Sequence, residues 1–247
     1  MRGVLAGYAI VAALSCGGGG ATGPSPVTQA ETLELRWQSE HFRIFAGATP
    51  DGIVRATADR LESEFARILT AFELSTVPGV TVRIWQDEAT YSAELVRYFG
   101  VRYQASGYVT GPAEVRLLAT PQLGQNAVHE FVHAASLAVN PSLANNPRWL
   151  WETVAIYVSG ERVDPRSLDY LRRGAFPTLQ QLNAEPNAAT QIYEVGFLLG
   201  EFVVARWGPA ALVSLIRANG DVSGVLGLSV SAFEAAWRDY VETHDLS

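Results

Sequence analysis

The 247-residue sequence contains one cysteine, Cys16, so no disulfide can form within the chain. An oxidising compartment would be tolerated without being exploited. Lysine is absent: all 18 basic residues are arginine, and against 25 acidic residues they leave a formal charge of −7. That charge lacks the basic footprint of nucleic-acid binding, so no nucleic acid is expected as a partner. Long apolar runs are also missing. The best candidate, residues 4–14, has 11 residues, and a helix needs about 20 to span a bilayer. Methionine occurs only at Met1, and histidine only at positions 41, 129, 133 and 244, so a histidine-based site has few donors to draw on. Apolar residues nevertheless make up 48% of the chain. That excludes a disordered protein, and the length suits one large domain or two lobes.

The first 31 residues read as processing and tether. Met1-Arg2-Gly3 carries a positive charge, the apolar stretch 4–14 follows, and Ala13-Leu14-Ser15-Cys16 resembles a bacterial lipobox, with alanine at 13 where leucine is more usual. The resemblance implies a signal peptide over 1–15, cleavage before Cys16, and lipid on that residue, anchoring the chain to a membrane of the cell envelope. An ordinary signal peptide cleaved nearby is the alternative. Residues 16–31, rich in glycine and proline, are expected to be a flexible tether reaching about 20 Å as a coil.

The folded part is expected over 32–247 as an α+β protein, with an α/β lobe on a mixed sheet over 32–138 and a mainly helical lobe over 139–247. Alternation predicts strands at 33–37, 41–46, 80–85 and 115–119, the last as an edge strand, while the short β candidate 107–110 is rich in glycine and reads as a loop edge. Helical spacing predicts helices at 51–74, 88–99, 124–138, 147–158, 189–207, 209–218 and 230–243, with a single turn at 178–182. Asn146 is expected to cap the helix that Pro147 begins. Arg148 is expected at the surface.

The chemistry concentrates in Ala127-Val128-His129-Glu130-Phe131-Val132-His133. On a helix, residues four apart share a face, so His129 and His133 can hold one metal ion between them. Glu130 lies about 100° round the helix, near enough to act on a water at the metal without being forced into ligation. Val128, Phe131, Val132 and Ala135 fall opposite, giving the helix a wet chemical face and a dry packing face. A catalytic zinc site needs a third protein donor. Glu152 is the best candidate, one helix downstream and separated from His133 by the 18 residues 134–151. A reversal through Pro141 and Pro147 would bring it back. His41 reads as a strand surface residue, and His244 as solvated near the terminus.

His-Glu-x-x-His, with 18 residues between its second histidine and the glutamate of Trp149-Leu150-Trp151-Glu152-Thr153-Val154-Ala155-Ile156-Tyr157, resembles the gluzincin metallopeptidases, chiefly the aminopeptidase-like branch and its small bacterial relatives. The resemblance implies a zincin-like, thermolysin-like catalytic domain. It also implies zinc (Zn2+) bound by His129, His133 and Glu152, with Glu130 as general base for hydrolysis of a peptide or protein substrate. Thr153 stands where the family usually has glycine. Tyr193-Glu194-Val195-Gly196 resembles the family's Tyr-Glu-Lys-Gly segment, with valine for lysine, and implies that Tyr193 stabilises the oxyanion. The family's Gly-x-Met-Glu-Asn segment, which recognises a free amino terminus, cannot be present in a chain whose only methionine is Met1. An endopeptidase or narrow-specificity peptidase is therefore expected. The second class is a catalytically inactive zinc-binding envelope module that recognises polypeptides. The carboxylate that commonly orients a zinc-bound histidine is not at its common spacing, where Ile156 stands four residues after Glu152.

Overall fold

A computed structural model describes residues 30–102, 104–184 and 191–246. The signal peptide, Cys16 and nearly all of the tether lie outside them. Near the start of the described residues, the Glu31 carboxylate accepts the backbone N–H groups of Ala48 at 2.7 Å and of Gln86 and Asp87 at 2.8 Å.

Strands β1 (Glu34–Gln38) and β2 (Phe42–Ala46) form a hairpin and lead into α1 (Asp51–Ala71). Strand β3 (Val80–Trp85), α2 (Glu88–Phe99), β4 (Gly107–Gly111) and β5 (Glu114–Leu118) follow. The sheet order is β1-β2-β3-β5-β4, with β2, β3 and β5 parallel and the outer strands antiparallel to their neighbours. The sheet is therefore mixed, as expected. Two expectations are corrected: the segment 107–110, read as a loop edge, forms strand β4, and 115–119 is not an edge, because β5 is paired on both sides and β4 takes the edge beyond it. Chain order misleads here because β4 and β5 form a hairpin that inserts its second strand beside β3.

Alternation along the strands decides what covers each face. Ile44, Val82, Ile84, Val115 and Leu117 are buried in one core cluster with Leu61 and Ile68 of α1. On the other face Trp85 and Tyr108 join Tyr91 and Leu95 of α2. Helix α1 ends at Ala71, before the expected 74, because Glu73 turns left-handed at φ +56° and Leu74 N–H reaches back to the Leu69 carbonyl at 2.9 Å. Ile53 is exposed, and Val54 beside it carries the burial.

Helix α3 (Leu123–Val139) holds the His-Glu-x-x-His motif and packs on α1, β4, β5 and α4 (Arg148–Ser159). Short helices α5 (Asp169–Arg172) and α6 (Leu179–Leu182) cross to α7 (Gln191–Trp207), and α8 (Ala210–Arg217), α9 (Val222–Leu226) and α10 (Val230–His244) complete the described helices. The Thr178 side chain and Gln181 form a reciprocal cap on α6. α5 and α9 were not anticipated, because four or five residues are too few to display a helical period. The helical half shares one apolar cluster with the sheet half rather than building its own. Among the described residues no single helix is long and apolar enough to cross a membrane.

The start of α4 also differs from expectation. Pro147, not Asn146, occupies the cap position with extended ψ 147° and no side-chain cap of its own. The free Trp149 N–H is met instead by Asn183 Oδ1 at 2.9 Å, from the segment after α6. A donor at a helix start must find an acceptor, and here it comes from 34 residues away.

Candidate metal centre

Helix α3 is apolar nearly all round, and the packing that results encloses its polar residues as well. His129 is 2% exposed, and Glu130 and His133 are 0% exposed. The wet face expected for this helix is therefore covered, because α4, which carries Glu152 at 0% exposure, packs directly on α3. α7 in turn packs closely on α4. Glycines permit that approach: a Cβ at Gly196 would lie 2.7 Å from Ile156 Cδ1, and one at Gly200 would lie 2.5 Å from Tyr157 Cβ.

The fold brings together the ligand residues that sequence spacing nominated. One donor atom from each of His129, His133 and Glu152 lies within 4.8 Å of the others. Glu152 Oε2 sits 3.4 Å from His129 Nε2 and 3.7 Å from His133 Nε2. None of these three atoms has a hydrogen-bond partner, although all are buried. Orphaned polar atoms at this depth cost about 1–3 kcal/mol each, and these three, aimed at one another, could hold a metal ion between them. The group fits a metal ion by chemistry as well as by position: two imidazoles and one carboxylate.

The two histidines are held by different means. The His129 and His133 rings meet edge to face at 4.7 Å. His133 stacks on Trp151, with ring centroids 4.0 Å apart and planes 6° from parallel. His129 instead contacts Glu161, whose Oε1 lies 2.7 Å from His129 Nδ1 and also accepts the Ser159 hydroxyl at 2.7 Å. Glu161 escaped the sequence reading. Its only signal is Gly160, a helix-ending glycine that turns the next residue back. Which side chain that residue then meets depends on how α3 and α4 cross.

Glu130 projects beside this group, with both carboxylate oxygens buried and unpartnered. It lies under the edge strand: a Cβ on Gly107 of β4 would be 2.7 Å from Glu130 Cγ and Oε1. Burial, aided by the Glu152 and Glu161 carboxylates, lifts the Glu130 pKa to about 8 against the opposing pull of His129. Burial would also raise Glu152, but the facing His129 and His133 imidazoles outweigh it and bring that carboxyl down to about 2. Burial lowers His133 to about 4. For His129 burial pulls the same way, yet Glu161 and Glu152 reverse it, so this imidazole is held well above its ordinary range.

Tyr193 joins the group from α7, its hydroxyl donating to Glu152 Oε1 at 3.3 Å. Burial first, then the Glu152 charge, hold its phenol well above the usual range. Compared with known proteins, the chain matches no family model and no curated protein sequence.

Arg148, expected at the surface, is only 4% exposed. One turn before Glu152 on the same helix, it faces inward, with its guanidinium 5.5 Å from the Tyr193 ring and Nη1 donating to the Leu182 carbonyl at 3.4 Å. His41 and His244 stay away from the centre. His41 stacks on Phe65 and contacts Glu62, and His244 contacts the Tyr240 carbonyl. Thr153, where the gluzincin pattern has glycine, is fully buried and faces Gly196, so the opposing helix gives up the bulk that this position adds.

Proposed function

We propose that this chain is a zinc-dependent peptidase of the gluzincin type, with a zincin-like, thermolysin-like catalytic domain held at the bacterial cell envelope by lipid on Cys16. The observation that carries the reading is the convergence of buried, unpartnered donor atoms from His129, His133 and Glu152 beside an equally unpartnered Glu130. Two histidines and a glutamate form a catalytic zinc donor set, which leaves a fourth position open. Zinc held there would supply Lewis acidity, polarising the scissile carbonyl and acidifying a water.

The remaining roles belong to the chain itself. Glu130 accepts a proton from the attacking water on one carboxylate oxygen and passes it to the nitrogen of the leaving amine. Its raised pKa makes it a strong carboxylate base, and a neighbouring cation favours its ionised form. Tyr193 keeps its proton at neutral pH and donates its O–H to the oxyanion that forms on the attacked carbonyl. Strand β4 offers an extended peptide the unpaired backbone groups of its outer edge, next to Glu130. The absence of an amino-terminus-recognising segment favours an endopeptidase or a peptidase of narrow preference. The lipid anchor rests on residues 1–16 of the sequence.

One observation favours the second reading, a metal-holding envelope module without catalysis: all four central side chains are enclosed, at 0–2% exposure. Metal analysis and cleavage-site profiling on envelope proteins separate the two. A peptidase binds one zinc per chain and produces cleavages that vanish in Glu130→Gln. A module binds zinc and produces none.

A further inference from the structure

The sequence gives the centre no orienting carboxylate at the common spacing, yet His129 has one. Helix α4 ends at Ser159, and Gly160 adopts a left-handed φ of +79°. The Glu161 N–H then returns to the Ile156 carbonyl at 3.0 Å. This six-residue reversal folds the chain back over the helix end, and it carries the Glu161 side chain to His129 Nδ1 at 2.7 Å. The carboxylate is itself fixed: Ser159 Oγ donates to the same oxygen, while Gln125 Nε2, one turn before His129 on α3, holds the Ser159 carbonyl at 3.2 Å. Arg67 of α1 donates to the neighbouring Val158 carbonyl at 2.7 Å.

We propose that Glu161 is the positioning residue for the metal centre, accepting the Nδ1–H of His129 so that Nε2 keeps its lone pair and points at the ion. The inference rests on the metal-holding part of the function proposed above, not on peptide cleavage. One helix thus serves the centre twice, giving it a ligand in Glu152 and, through its terminal reversal, the group that orients a ligand on α3. The centre is asymmetric in consequence. His129 is set by a hydrogen bond, whereas His133, whose Nδ1 has no hydrogen-bond partner, is set by stacking on Trp151.

The test is zinc affinity, measured by chelator competition on the mature chain for wild type, Glu161→Gln and Glu161→Ala. Loss of such an orienting partner typically weakens metal binding about 10–100-fold, and that loss is expected for Glu161→Ala. Glu161→Gln retains an acceptor oxygen and is expected to fall between alanine and wild type. Nitrogen-15 NMR of the zinc-loaded protein supplies a readout that a merely structural role would not move. His129 Nδ1 is expected to carry a hydrogen-bonded proton in wild type and Glu161→Gln, and to lose that bond in Glu161→Ala. Wild-type affinity in a folded Glu161→Ala overturns the proposal, as does an equal loss in both variants accompanied by an equal drop in apo-protein melting temperature. A wild-type chain that takes up no zinc defeats the metal reading itself, a different result.

Discussion

Gly107 shows how little room the proposed base has. Alanine there would place a carbon 2.7 Å from Glu130 Oε1 and 2.9 Å from Leu117 Cδ2, far inside contact distance. Glu130 is the side chain able to yield, so Gly107→Ala is expected to displace it. If the proposed chemistry holds, turnover falls at least about tenfold, since a misplacement on the order of 1 Å can cost 100-fold, while zinc stoichiometry stays at wild type. A second residue-scale prediction concerns His41 and Glu62, whose Nδ1 and Oε2 lie 2.7 Å apart. Burial raises the Glu62 carboxyl, but hydrogen bonds from His41 and Ser39 outweigh it and bring it below its ordinary 4.5. A depressed folded-state pKa adds stability above the unfolded value, and that stability disappears as pH falls through the folded value. Glu62→Gln should therefore cost about 1 kcal/mol at pH 7 in urea denaturation, and the difference from wild type should shrink below pH 4.5. The pairing of His129 with His133 was legible at this scale because spacing on a helix dictates shared faces. Glu161 and the burial of Arg148 were not, because both depend on how separate helices meet.

At the scale of elements, α4 and α7 form the critical pair. Gly196 and Gly200 lie one turn apart on α7, and each faces a side chain of α4 at a distance that a Cβ would violate. Gly200→Ala would press on Tyr157 Cβ and Cγ at 2.5 Å and must push the helices apart or rotate the ring. Overpacking of this kind costs about 1–3 kcal/mol, measurable as a lower denaturation midpoint. Because α4 carries Glu152 and α7 carries Tyr193, the same variant should also weaken zinc binding. The expected strands 33–37, 41–46, 80–85 and 115–119 and the long helices agree within one to three residues wherever their bounds fall among the described residues, since period and punctuation are local signals; the start expected at 189 lies outside them. The order of the sheet was not legible: β5 takes an inner place because its partners β3 and β4 flank it, a non-local fact that alternation within 115–119 cannot report. The cap of α4 failed for the same reason, its acceptor being Asn183.

For the whole molecule, one apolar cluster joins sheet and helices, and the metal group is enclosed within it. Two buried carboxylates, Glu130 and Glu152, and the half-buried Glu161 stand around two histidines there, and a divalent cation would offset their charge. Zinc removal by a chelator is expected to lower the melting temperature. A ligand at 100 times its Kd adds about 2.7 kcal/mol to the folded state, a loss that scanning calorimetry would register. Were the melting temperature the same with and without metal, the buried donors would not be a binding site. The proposed chemistry needs Glu130 and zinc together, and the most direct measurement compares wild type with Glu130→Gln, a change that keeps the shape of the side chain and removes its basicity. Zinc content by mass spectrometry and cleavage of envelope polypeptides by proteomic profiling are read on the same preparations. One zinc per chain is expected in both proteins, with the cleavage seen for wild type reduced about 100- to 10,000-fold in the variant. Equal cleavage by the two zinc-loaded proteins would contradict the proposed chemistry.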